Sequence, residues 1–442
     1  MSASYLAIFG SGFILFLAHA LPWFMHDDGN FVRNPAKLAA LLSGLQVIPH
    51  YFVVTIWPEE SMIFPFYGDG LLELLPRFAL YYAAGFAFMI WGIRRGMRGI
   101  ANQSTLTIDY EPNYYLISAL MFTLYILAMY LMIDKVGGLN VFIQNFGNQT
   151  EFQSGTGIFQ IIKLPAVYLS ILFLAVQHAK TGKPHLLWII LYILIVIAIE
   201  SGLGGRRTPI QIILFAIASI YIINPERRLL SFTNVGLFAV CVTIFVVILN
   251  IRDSASGYTE ERDAFSYFIN FSYNDIYIFV IDHFSRNDFW YGKIFLDFQY
   301  RFTGGHQGLP PPSLDDGVYI YNLYLGRFAE PPMSLELMAQ NSWPPRTFGN
   351  GYMNFGFQGI LLFFFLQGLV TGWTYKLVVR TGFNPVFVFV YLILIFSFQM
   401  SNLKFTEMAL ILVGLLLIFG PAALINRWLP NARRGLGNTP QS

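Results

Sequence analysis

Charge and cysteine are what this chain has least of. Of its 442 residues only 12% are charged, against roughly 25% in a soluble globular protein. That deficit, over such a length, excludes a disordered protein and argues against a soluble enzyme. The single cysteine, Cys241, lies in the apolar run VGLFAVCVTIFVVIL, which excludes an intrachain disulfide and a thiolate metal cluster. Neither sign of charge dominates: 27 Lys+Arg stand against 25 Asp+Glu, a net charge of +2, so nothing suggests nucleic acid as a partner. The signatures HExxH, P-loop, GxSxG and CxxC are absent, and Asp315-Asp316 reads as a solvated turn. No cleavable signal peptide is expected, because the first apolar run has no preceding Lys or Arg and is too long for a signal core.

What is abundant is apolar: 55% hydrophobic residues and a mean hydropathy of +0.55. About 20 apolar residues cross a hydrocarbon core of about 30 Å. Eleven runs qualify: 4–25, 36–57, 70–93, 114–133, 157–177, 185–203, 207–223, 233–250, 350–374, 384–402 and 408–426. The expected fold is therefore an all-α polytopic membrane protein. Its parts would be eight spans in 1–250, a large loop at 251–349, three more spans in 350–426 and a tail at 427–442.

Alternate short loops and the tail carry 14 basic residues, among them Arg33, Lys37, Arg94, Arg95, Arg98, Arg227, Lys376 and Arg380, against five acidic ones. By the positive-inside tendency this face is expected to be cytoplasmic, with the N-terminus on the other side. The loop 251–349 then lies outside, with seven basic and twelve acidic residues. Within it AFSYFINFSYNDIYIFVIDHFS is amphipathic, suited to a helix at the interface or capping a cavity. A loop of that length is expected to fold and to carry function.

Ionisable groups inside a bilayer are costly and point to function. Here Glu73, Arg77, His50, Lys163, Glu200, Arg206 and Arg207 fall at the outer ends of their spans, with His19 the exception. Each also has a plain structural reading. Glu73 and Arg77 are spaced to pair on one helix, Lys163 can snorkel to the interface, and His19 and His50 can be core histidines. As a group they suggest an outer-facing cavity for an anion. Arg206 and Arg207 follow a Gly-Gly turn at a helix start, a place where guanidinium and backbone N–H groups act together on an anion. In the loop, Arg301 and His306 flank a Gly-rich turn, Arg327 follows an aromatic run, and Arg346 follows Pro344-Pro345 at the edge of the ninth span.

Three stretches resemble a known family. The turn GGRRTPI, the segment GGLNVFIQN, and NSWPPRTFGNGYMNFGFQGILLFFFLQGLVTG after a large outer loop are similar to the Wzy-type O-antigen and exopolysaccharide polymerases. The match runs through Gly205-Arg206-Arg207, Pro344-Pro345 and Tyr352-Met353-Asn354-Phe355-Gly356. It departs at Arg346-Thr347-Phe348 and in the odd helix count.

The resemblance implies a GT-C-like glycosyltransferase of the bacterial inner membrane, acting at the periplasmic face. It would join undecaprenyl-diphosphate-linked oligosaccharide repeat units. Arg207 would be the family arginine, with His306 or Glu336 as the base. Arg206, Arg346, Arg301, Arg327, Arg77, Lys163 and Tyr352 would hold diphosphate and sugar. Neither cofactor nor metal is expected. Expected partners are the lipid-linked glycans, membrane lipid and a chain-length regulator protein. Two rivals stay open: an O-antigen ligase, and a transporter or flippase.

Overall fold

Where water is excluded, a backbone must satisfy its own N–H and C=O groups, so long apolar runs fold as helices. The computed structural model describes residues 3–24, 31–100, 113–144, 157–181, 186–202, 207–223, 243, 272–292, 316–328, 343–396 and 411–420. Among them 89% are helical and none is in a strand. The main helices are α1 (Ala3–Ala20), α2 (Pro35–Ile56), α3 (Leu71–Gly96), α4 (Tyr114–Val136), α5 (Gly157–Thr181), α6 (Leu186–Gly202), α7 (Arg207–Ile223), α8 (Asn274–Arg286), α9 (Asp316–Tyr324), α10 (Arg346–Arg380) and α11 (Pro385–Phe396).

Among the described residues, six segments are long and apolar enough to cross a membrane: Tyr5–Phe24, Pro35–Ile56, Phe64–Gly96, Tyr114–Val136, Ile161–Thr181 and Arg346–Arg380. Shorter apolar helices, Leu187–Glu200, Gln211–Ile223, Pro385–Phe396 and Ile411–Gly420, coincide with four more of the expected runs. The run 233–250 lies outside the described residues, as does the tail after 420.

Two apolar cores organise the bundle. One joins α1, α2, α3, α8, Ile320 of α9 and the first half of α10. The other joins α4, α5, α6, α7, α11 and the far end of α10. Polar ties connect them on the face that carries the basic loop residues. Arg33 donates from Nε to the Ile222 carbonyl at 2.9 Å and lies 3.9 Å over the Phe383 ring. Lys376 donates to the Arg98 carbonyl at 2.8 Å.

The tightest packing is between α3 and α10. Each carries a Gly-x-x-x-Gly pair, Gly92/Gly96 and Gly368/Gly372. A Cβ at Gly92 would fall on the Phe365 carbonyl, and one at Gly368 on the Met89 carbonyl. With so little lipid-driven gain between apolar helices, such backbone contact is what holds them.

One expectation is corrected here. The ninth span was read as running straight from residue 350. Instead α10 breaks at Phe355 and Gly356, where Gly356 takes φ 62° and ψ −149°. That left-handed backbone suits glycine. The segment 346–354 folds back beside 357–380: the backbones of Gly351 and Gly359 touch, and Thr347 Oγ1 bonds to Gln367. The end of the short helix is capped by the long loop before it, with Trp290 N–H donating to the Met353 carbonyl at 2.8 Å and Tyr291 N–H to the Asn354 carbonyl at 3.1 Å.

Candidate functional site

Nine residues separate Arg346 from the break, so Arg346 lies about 14 Å along the short helix at 1.5 Å per residue. The two prolines before it therefore lead into a short folded-back helix and not directly into the long span. Arg346 as a whole is 6% exposed. It donates to the Tyr273 hydroxyl and lies 3.7 Å over the Tyr273 ring. Its own φ is 53°, a conformation that costs a non-glycine residue energy and tends to occur where function holds it.

Tyr273 is the residue before α8, the loop helix read from sequence as amphipathic. The helix does not lie flat at an interface, because Asn274 through Asp282 are all buried. Its first turn reaches α2, where Asn274 Nδ2 donates to the Val47 carbonyl at 2.8 Å. Val47 is nine residues from the end of α2, again about 14 Å. The Arg346–Tyr273 contact brings the starts of α8 and of the short helix 346–354 together. A helix start carries partial positive charge, so two of them converge with the Arg346 guanidinium.

The next residue, Asp275, is committed elsewhere. It accepts from Ser61 Oγ at 2.8 Å and from the Met62 N–H at 2.9 Å, and lies 3.4 Å from His50 Nε2. From α9, Tyr324 donates to the Met62 carbonyl at 3.1 Å; burial, then the Asp275 charge, raises its phenol pKa and keeps it protonated. Farther along α8, burial holds the His283 imidazole below its ordinary value, with Asp282 opposing.

Arg77 approaches the same short helix from α3. It donates to the Tyr352 hydroxyl at 2.8 Å and to the Tyr81 hydroxyl at 3.3 Å. It is half-exposed and does not pair with Glu73, because its guanidinium turns toward the two phenols. On the far side of Tyr82 a hydrogen-bonded chain runs from the Tyr82 hydroxyl to Ser43 at 2.9 Å, and from Ser43 to His19 Nε2 at 3.0 Å. His19 Nδ1 faces the Leu15 carbonyl at 2.8 Å and so carries the hydrogen. His19 stacks on Phe86 with ring centroids 4.1 Å apart, a satisfied core histidine.

Lys163 is corrected as a diphosphate ligand. It neither snorkels nor opens toward this site. It bonds both Glu200 oxygens, at 2.9 and 2.8 Å, inside the other core, with both side chains 3% exposed. Tyr125 donates to the same carboxylate at 3.3 Å. Arg207 opens α7, and Arg327 sits half-buried in the turn after α9. Arg206, Arg301, His306 and Glu336 lie outside the described residues.

Sequence reasoning passed over Asp275 and Tyr273. Their signal was polar residues at the start of an otherwise apolar helical stretch. Among the described residues no group of three His, Cys, Asp or Glu side chains is arranged to hold a metal. No protein-family model, curated protein or solved structure matches this chain, so the functional reading rests on its residues.

Proposed function

We propose that the chain is a membrane glycosyltransferase that polymerises oligosaccharide repeat units carried on a lipid diphosphate. Its eleven-span, GT-C-like architecture would sit in a bacterial inner membrane with the site on the periplasmic side. The observation that carries this reading is Arg346. A guanidinium at the start of a folded-back helix, held by the residue that precedes a loop helix, joins loop and bundle in one electropositive place. A diphosphate leaving group gathers negative charge as its bond to the sugar breaks, and a bidentate guanidinium in a dry site stabilises it strongly. Arg77, half-exposed beside Tyr352, is a first contact for an anion arriving through lipid, and Arg346 a deeper one. Arg207 stays the sequence-motif arginine of this reading, and no metal is needed for the charge stabilisation.

A second reading has one observation in its favour. Helix starts that meet within a bundle are also how transporters hold anionic substrates. Purified protein in vesicles with a lipid-diphosphate-linked repeat unit separates the two. A polymerase lengthens glycans on one side; a transporter moves the unit across unchanged. Arg346→Ala should lower polymerisation about 10²–10³-fold, and Arg346→Lys should recover part of it. Full activity of Arg346→Ala rejects the assignment. A ligase is separated in cells: its loss leaves long chains on the lipid carrier, whereas loss of a polymerase leaves single repeat units transferred.

A further inference from the structure

Three separate segments bring their aromatic rings to one place. Phe66 comes from the connection between α2 and α3, Tyr321 and Tyr324 from α9, and Trp343 from the residues just before α10. Trp343 meets Tyr324 with ring centroids 4.5 Å apart and Tyr321 at 5.4 Å, and Tyr324 meets Phe66 at 6.0 Å. The rings form one continuous row, and it is open: Phe66 is 61% exposed and the other three are half-buried. The row is also stiff. The Tyr324 hydroxyl donates to the Met62 carbonyl at 3.1 Å, the Trp343 backbone N–H donates to the Gly317 carbonyl at 2.9 Å, and Ile320 anchors α9 in the core. At the Phe66 end stands a polar rim. Tyr67 donates to Asp282 at 3.1 Å, and Asp282 also accepts from Arg286, whose side chain is 71% exposed. An anchoring ring at a lipid surface stands at the end of its own span. Tyr321, Tyr324 and Trp343 belong to none of the spanning segments. Exposed apolar rings bordered by polar groups mark a binding face.

We propose that this row is a carbohydrate platform, on which the sugar rings of the lipid-linked repeat unit stack. The proposal rests on the glycosyltransferase reading above for the identity of the glycan. Two observations choose a sugar as the occupant. The first is chemical. An aromatic face carries partial negative charge. One face of a pyranose presents C–H hydrogens of partial positive charge, while its hydroxyls project from the edge. Open rings beside an exposed guanidinium–carboxylate pair match both halves of that pattern; a lipid chain matches only the rings. Tyrosine and tryptophan also give such contacts with little loss of conformational freedom. The second observation is position. Trp343 is followed by Pro344, Pro345 and Arg346. Trp343 and Arg346 are thus three residues apart, at most about 11 Å from Cα to Cα, and the proline pair stiffens the step. Sugars of a unit that reacts beside Arg346 fall within reach of Trp343 and Tyr324.

The test uses the full-length protein in lipid nanodiscs. The probe is the water-soluble repeat-unit oligosaccharide, freed from its lipid diphosphate by mild acid. Titration gives the affinity, and nuclear magnetic resonance reads saturation transfer from aromatic protons to the sugar C–H protons. Trp343→Ala should weaken binding about 10–30-fold and lower the transfer with it. Trp343→Tyr keeps a ring and should keep most of the affinity. Trp343→Leu keeps apolar volume without a ring and should not, which separates stacking from packing. Phe66→Ala removes the most exposed ring of the row, where folding depends on it least, and should weaken binding several-fold. Trp373→Ala, an exposed ring on the long arm of α10, should bind as the wild type does. Equal binding by wild type, Phe66→Ala and Trp343→Leu overturns the proposal and leaves the rings as lipid-surface anchors. A wild type that binds no oligosaccharide overturns it too. A wild type that binds the oligosaccharide on these rings but forms no polymer from the lipid-linked unit keeps the platform and rejects the glycosyltransferase reading. A wild type that polymerises, beside ring variants that bind and polymerise equally well, removes the platform alone.

Discussion

Lys163 and Glu200 give the most decisive stability experiment. Their charges meet at 2.8 Å with 3% of each side chain exposed. At an effective dielectric constant near 20, such a separation corresponds to an attraction of roughly 6 kcal/mol, most of it cancelled by the cost of taking two ions out of water. Removing one partner keeps the cost and loses the attraction. Lys163→Met leaves Glu200 with only the Tyr125 hydroxyl, and Glu200→Leu leaves an ammonium in the core. Each should destabilise the fold by about 3–5 kcal/mol. The double substitution Lys163→Met/Glu200→Leu removes both ions and fills the space with apolar volume, so it should lie within about 1 kcal/mol of the wild type. Equilibrium unfolding in mixed detergent micelles measures all four proteins. A double variant that loses the sum of the two single losses would refute the ion-pair argument. The same double variant, stable yet unable to polymerise, would return Lys163 to the substrate site.

Leucine at Gly92 or Gly368 should abolish correctly folded protein, since even a Cβ there falls on a facing carbonyl, whereas Gly10→Ala, with nothing within 4 Å, should be neutral; detergent-solubilised yield and elution profile check this. Reporter fusions at Gly182, Glu226 and the C-terminus should read cytoplasmic and insertions near Gly304 periplasmic; a periplasmic signal at Glu226 reverses the orientation. Polymer formation should persist in excess EDTA, because arginines supply the charge stabilisation that Mg²⁺ supplies elsewhere; loss with chelator and return with a divalent ion would reject that.

The helices were legible wherever the apolar signal is local. The runs at Pro35–Ile56 and Tyr114–Val136 declare themselves by length and composition. The costly residues were legible too: Lys163, Glu200, Arg77 and Arg346 stand out in an apolar chain. Their partners did not, because pairing is settled across long separations. Glu200 lies 37 residues from Lys163, and Tyr352 lies 275 from Arg77. The break in α10 hid for another reason. Phe355-Gly356 sits in a stretch apolar enough to read as one span, and the bend depends on carbonyl caps from Trp290 and Tyr291. His50 looked like an ordinary core histidine until Asp275 arrived beside it from a loop 225 positions away.

Those same caps impose an order on assembly. The carbonyls of Met353 and Asn354 accept from Trp290 and Tyr291, and the Arg346 guanidinium meets Tyr273. All three partners belong to a segment synthesised earlier, which must already be folded against α2. The hairpin at 346–380 therefore cannot complete its packing as an autonomous unit. Its long arm is apolar enough to enter lipid alone, but its short arm meets these partners once the 273–291 segment is folded, so that segment's folding comes before completion of the hairpin.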